Sequence, residues 1–120
     1  MLNIHLVIID PQNDFCNPSG SLYVPGAEED MKRLAGLVTR LRDKIEDIHV
    51  TLDSHRKVDI SHPMWWKDSS GKRPSPFTVI SVSDLASGKW TTAQPGMYAR
   101  SLDYLRALEA TRRYPHVIWP

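Results

Sequence analysis

The chain has a single cysteine, Cys16, so it holds no internal disulfide framework. It has no excess of charge: fifteen Lys and Arg stand against fourteen Asp and Glu, a net +1. A balance this even leaves no electrostatic footprint for nucleic acid or for an anionic membrane surface. The densest basic pair outside a predicted helix, Lys72 and Arg73, is too small to make a patch. No apolar run approaches the roughly 20 residues of a membrane span. No basic n-region, apolar h-region and cleavage site open the chain, so a cytoplasmic protein is expected. Repeats and low-complexity segments are missing too. At 120 residues the expectation is one domain with one modest core.

What is there is organised around Leu6-Val7-Ile8-Ile9-Asp10-Pro11-Gln12-Asn13-Asp14-Phe15. A short continuous apolar run bounded by turn residues reads as a buried parallel strand, here Leu2 to Ile9. Ligands of open α/β sheets bind beyond the carboxyl ends of the strands, which places Asp10 at the mouth of a site. A turn-forming loop, Asp10 to Val24, follows. Met31, Leu34, Leu37, Val38, Leu41 and Ile45 recur at spacings of three and four, predicting an amphipathic helix of about five turns. Its start carries Glu28, Glu29 and Asp30, the favourable sign for that end. Ile48 to Leu52 reads as a second strand, completing a βαβ unit.

From Ser54 to Pro95 the periodicity breaks. This stretch holds three of the four tryptophans, and a connection so long is usually functional. Phe77 to Ile80 reads as an extended segment and Ser83 to Ala86 as one helical turn. A second helix is predicted over 97–110 and a third strand over 116–119. The fold class is α/β: a three-layer, Rossmann-like parallel sheet with flanking helices, of which three strands and two helices are only the first half. Parallel sheets need both faces covered, so residues 1–120 are expected to form one partial domain with an exposed sheet edge that invites association, including a homo-oligomer.

The chemistry-bearing candidates gather at strand ends. Asp10 is either a turn aspartate bonding backbone amides or a carboxylate acting as general base. Asp53 and His55 follow the second strand at i and i+2, which in extended chain project to one face and can reach one cation. His62 is either a third ligand or the cap of its own His-Pro turn. His5 and His49 lie within strands and read as satisfied sheet histidines; His116 is ambiguous. A reactive thiol needs a helix N-terminus or a cationic neighbour. Asn17-Pro18-Ser19-Gly20 supplies neither, so Cys16 is expected to be non-catalytic. Phe15, Trp65, Trp66, Trp90 and Trp119 pack or anchor by default, although a ring at Trp119 could stack on a planar ligand.

Taken together, the strand running into Asp10-Pro11-Gln12-Asn13-Asp14-Phe15, then Asp53-Ser54-His55, then Trp119-Pro120 resemble the isochorismatase-like cysteine hydrolases, and among them the nicotinamidases. The segment Asp59-Ile60-Ser61-His62-Pro63 is similar to that of a larger-loop subgroup. The resemblance implies a metal-dependent amidase of NAD salvage and pyridine nucleotide biosynthesis that converts nicotinamide to nicotinate and ammonia. Asp10 would match the acid of an Asp–Lys–Cys triad. Asp53, His55 and His62 would hold a divalent metal, zinc first, with iron or manganese as alternatives. Phe15 and Trp119 would wall the nicotinamide pocket. The family's triad lysine and nucleophilic cysteine have no counterpart here: Lys89 precedes the third strand and Cys16 falls in the pocket loop. The chain is therefore expected to end before the catalytic cysteine and to be inactive alone. Two other readings stay open, a non-catalytic remnant or metal-binding interaction module, and a metal-free hydrolase of the same superfamily.

Overall fold

The computed structural model describes residues 3–120 and is mixed α/β. Two compact units divide it, the first ending at Ser54 and the second running from His55. In the first, β1 (Ile4–Ile8) and β2 (Ile45–Val50) pair in parallel. Between them come a short helix α1 (Asn13–Cys16) and the longer α2 (Ala27–Leu41). This is the expected βαβ unit; Leu2, placed in the strand by sequence, lies outside the described residues. The predicted loop 10–24 thus contains α1.

The helix α2 forms for the reasons its sequence offers. Met31, Leu34, Leu37, Val38 and Leu41 are among its half-buried positions. Glu28, Glu29 and Asp30 occupy its first turn and Arg40 its last, both matching the helix dipole. Gly26 before it has φ 89°, a conformation glycine adopts without steric cost. The predicted end at Ile45 is corrected. The helix stops at Leu41, Lys44 N–H closes the turn on the Leu41 carbonyl at 2.8 Å, and Ile45 opens β2. Ile45 suits a helical stripe and a strand equally, and its pairing with Ile4 decides for the strand.

Burial in β1 alternates. Ile4, Leu6 and Ile8 are half-buried, whereas Val7 is 58% exposed and Ile9 74%. An apolar run expected to be covered on both faces is covered on one. The ladder also slips by one residue: Ile4 pairs with Ile45 but His5 pairs with Asp47, so Glu46 is an extra residue between them.

The second unit holds the fully buried apolar residues Trp66, Ile80, Leu85, Leu105 and Ile118. Two-residue strands β3 (Trp66–Lys67) and β4 (Thr91–Thr92) pair antiparallel. A five-residue helix α3 (Val82–Ala86) begins with a reciprocal cap between Ser81 and Asp84. The helix α4 (Tyr98–Thr111) lies one residue from its predicted bounds and turns Ser101 and Leu105 inward. The predicted third strand is corrected as well. Residues 116–118 pair antiparallel with 77–80: Ile80 N–H reaches the His116 carbonyl at 3.0 Å and Ile118 N–H reaches Thr78 at 2.9 Å. The described parallel sheet therefore has two strands. Among the described residues no helix is long and apolar enough to cross a membrane.

Candidate functional site

Asp10 stands where β1 ends, with φ 51°. That left-handed conformation costs an ordinary L-residue roughly 1–2 kcal/mol, and short polar side chains such as Asp visit it most readily. Thr51, just past β2, holds it there. The Thr51 hydroxyl donates to Asp10 Oδ1 at 2.6 Å and accepts the Asp10 N–H at 3.0 Å. One carboxylate oxygen is thereby oriented, and among the described residues Oδ2 accepts no hydrogen bond. Strained backbone held by its surroundings is a mark of functional positions.

Gln12 makes a second tie between the strand ends. Its Nε2 donates to the Asp53 carbonyl at 2.9 Å and its Oε1 accepts the Asp53 N–H at 2.8 Å. The backbone of Asp53 is thus fixed by the loop that carries Asp10. The same loop is braced internally: Gln12 Nε2 donates to Asp14 Oδ2 at 3.2 Å and the Ser21 hydroxyl to Asp14 Oδ1 at 2.9 Å. The amides of Phe15 and Cys16 both donate to the Gln12 carbonyl and start α1. Gly20 lies so close that a Cβ on it would fall 2.4 Å from the carbonyl oxygens of Asn13 and Asp14. Phe15 and Cys16 are half-buried, and the thiol is unpaired.

In the second unit His55 Nδ1 lies 3.0 Å from Asp59 Oδ2. Burial by itself would push the Asp59 carboxyl up. The Ser61 amide, the His55 hydrogen bond and the charges of His55 and His116 outweigh it, and the carboxyl sits below its ordinary value. Asp59 thus holds the His55 ring through Nδ1, a carboxylate–histidine pairing of the kind that orients imidazole ligands. His62 is arranged otherwise. Its Nδ1 accepts the Met64 N–H at 3.1 Å and caps the 3-10 turn Pro63–Trp65. A neutral imidazole has one lone pair. With that pair given to Met64, His62 has none for a cation in this conformation.

Trp119 packs edge-on against Phe77, ring centres 6.4 Å apart, and its backbone amide donates to the Ser61 carbonyl at 3.0 Å. His116 is buried between Trp66 and Tyr104, with ring centres 5.7 Å and 5.5 Å away. Burial pushes its imidazole down, against the opposing pull of the Ile60 backbone and the Asp59 charge. Trp66 belongs to the core, its Nε1 donating to the Ile60 carbonyl at 2.6 Å. The Trp65 indole N–H donates to Ser101 Oγ at 3.0 Å, and Trp65 is among the residues lining a cavity of about 520 Å³ with Lys57, Met64, Arg73 and Met97.

Sequence reasoning read His5 and His49 as satisfied sheet histidines and did not group them with Asp47; in the structure they face Glu46 and Asp47, with side chains more than half exposed. His5, Asp47 and His49 bring their ligand atoms within 4.8 Å of one another on the exposed face of the parallel pair. Strand alternation was the available signal, because it sets Asp47 and His49 on one face; the register that puts His5 opposite Asp47 is not readable locally. Comparison of the chain with known protein families, with curated proteins and with solved structures finds no match.

Proposed function

We propose that the chain carries the carboxylate corner of an amide-hydrolysing site of the nicotinamidase kind. The observation that supports it is Asp10: an acid at the carboxyl end of a parallel strand, in a left-handed conformation, with Oδ1 tied to Thr51. In this reading Asp10 is the general base that takes a thiol proton, after which the thiolate attacks the amide carbonyl, ammonia leaves and water hydrolyses the thioester. Phe15 and Trp119 are the proposed contacts to the pyridine ring. A zinc-type ion, when bound, supplies a Lewis acid that fixes the ring through its nitrogen. Asp53 and His55 are the proposed ligands, and Asp59 orients the His55 imidazole. His62 joins them only by releasing the Met64 amide. No cysteine of residues 1–120 stands in the nucleophile's place, since Cys16 ends α1.

The test uses nicotinamide with the 120-residue chain. Saturable shifts of the amide signals of residues 10–15 and of Thr51 are expected, lost in Asp10→Asn, with no ammonia released. An absence of shifts overturns the amide-site reading in favour of a non-catalytic module. Ammonia release that Cys16→Ala abolishes overturns the placement of the nucleophile.

A further inference from the structure

We propose that His5, Asp47 and His49 form a divalent transition-metal site on the open face of the β1–β2 pair, separate from the Asp10 end of the strands and independent of the amidase reading. Their ligand atoms all fall within 4.8 Å of one another. Asp47 and His49 are two residues apart on β2 and share a face, and His5 is the register partner of Asp47 on β1. His5 stands five strand steps before Asp10, about 16 Å away along extended chain.

The donor set is already close to a coordination shell. His49 Nε2 lies 3.0 Å from Asp47 Oδ2. Zinc bonds of about 2.0–2.1 Å in tetrahedral array put neighbouring ligand atoms about 3.3 Å apart, so an ion enters between these two with small side-chain rotations. Asp47 is held for the purpose: its Oδ1 accepts the Ile48 N–H at 2.8 Å, which aims Oδ2 toward His49. The slip in the ladder adds a neighbour. Glu46, the extra residue, places Oε2 3.6 Å from His5 Nε2, outside the three-residue cluster but near enough to orient that imidazole. Two imidazoles and a carboxylate suit zinc, iron(II), nickel(II) or copper(II), and exclude magnesium and calcium, which want oxygen. The side chains of all four residues are more than half exposed. A site of this kind loads reversibly and keeps outer positions for water. Its structural effect is to clip the start of β1 to β2 in a unit where none of the described residues is fully buried.

The test is a zinc titration of the untagged 120-residue chain by calorimetry in a non-coordinating buffer, with thermal unfolding read in parallel. Wild type is expected to take up zinc at this site and to melt higher with it, as ligand binding to the folded state requires. His5→Gln and His49→Gln are each expected to weaken that event at least tenfold and to abolish the zinc-dependent rise in melting temperature. Asp47→Asn is the discriminating variant: its amide oxygen keeps the Ile48 hydrogen bond while losing the anionic ligand, so it too must lose zinc without losing the strand. Asp53→Asn and His55→Ala remove the ligands proposed for the amidase site and must leave this event intact. Zinc uptake that survives His5→Gln combined with His49→Gln, or that disappears only in His55→Ala, overturns the assignment.

Discussion

Thr51→Val tests whether the strand-end clamp is what positions Asp10. The substitution keeps a β-branched side chain of nearly the same size and removes both hydrogen bonds to Asp10. A neutral hydrogen bond contributes about 0.5–1.5 kcal/mol and one to a charged group about 1.5–3 kcal/mol. Both are solvent-accessible here, so the low end applies and the expected loss is about 1–2 kcal/mol. That corresponds to roughly 5–30-fold faster opening of the first unit. The assay is native-state hydrogen exchange, followed at the Thr51 amide that donates to the Ile8 carbonyl at 3.0 Å and at its neighbours in the ladder. Amides of the second unit, whose buried residues include Trp66 and Leu105, serve as the internal control. Less than a twofold change in the first unit, or an equal change in both, refutes the clamp. Asp10→Asn added to Thr51→Val should cost less than the sum of the two singles, because the residues share one interaction. A companion pair isolates the backbone strain: at φ 51° Asp10→Ala should be about 1 kcal/mol less stable than Asp10→Gly.

Leu105→Ala, at a position 1% exposed in the core, should cost about 2–5 kcal/mol in thermal or urea unfolding of the second unit. His116 gives a pH signature. Burial lowers its folded pKa below the ordinary 6.5, so the folded state binds fewer protons than the unfolded one there. Stability should therefore fall as pH drops through about 6.5, and His116→Phe should flatten that slope. Asp59, lowered from 3.8, acts only further down, its contribution being lost as pH falls below that value. Gly20→Ala should displace α1, because the added Cβ meets two backbone carbonyls at 2.4 Å; amide spectra of residues 12–22 report the shift, and an unchanged spectrum contradicts the close approach.

Local patterns made parts of this chain legible. The run Leu6 to Ile9 announced β1, the three-and-four spacing from Met31 announced α2, and the helix over 98–111 fell within a residue of its expected bounds. The failures share a physical cause, which is that pairing partners are non-local. His116-Val117-Ile118-Trp119 has the composition of a strand, but nothing in those residues says that Thr78 and Ile80 bond it in antiparallel fashion. Two-residue strands at Trp66 and Thr91 are too short to show a period. Continuous apolar character in β1 signalled burial on both faces, yet Val7 and Ile9 are more than half exposed. At the site, Asp10 was legible as an acid at a strand end, while the means of holding it, Thr51 and the Gln12 amide on Asp53, depended on a register known only from the structure.

The two units are held together internally by different physics, and this bears on how Asp10 can work. Every fully buried residue described belongs to the second unit, where tryptophan and aliphatic packing dominates. The first unit fixes its acids with polar contacts at strand ends, each of them exposed to solvent. Such contacts are directional, so they set the orientation of a carboxylate well, but each is worth little against water. The general-base role proposed for Asp10 depends on that orientation. The consequence is that the geometry around Asp10 should loosen well before the second unit unfolds, since local opening begins where few apolar contacts are buried. A metal bridging His5 to Asp47 and His49 acts on the same weak element from its other end. Zinc should therefore slow exchange at Ile8 and Thr51 as well as at the ligands themselves, coupling the proposed metal site to the positioning of Asp10 through the β1–β2 ladder alone.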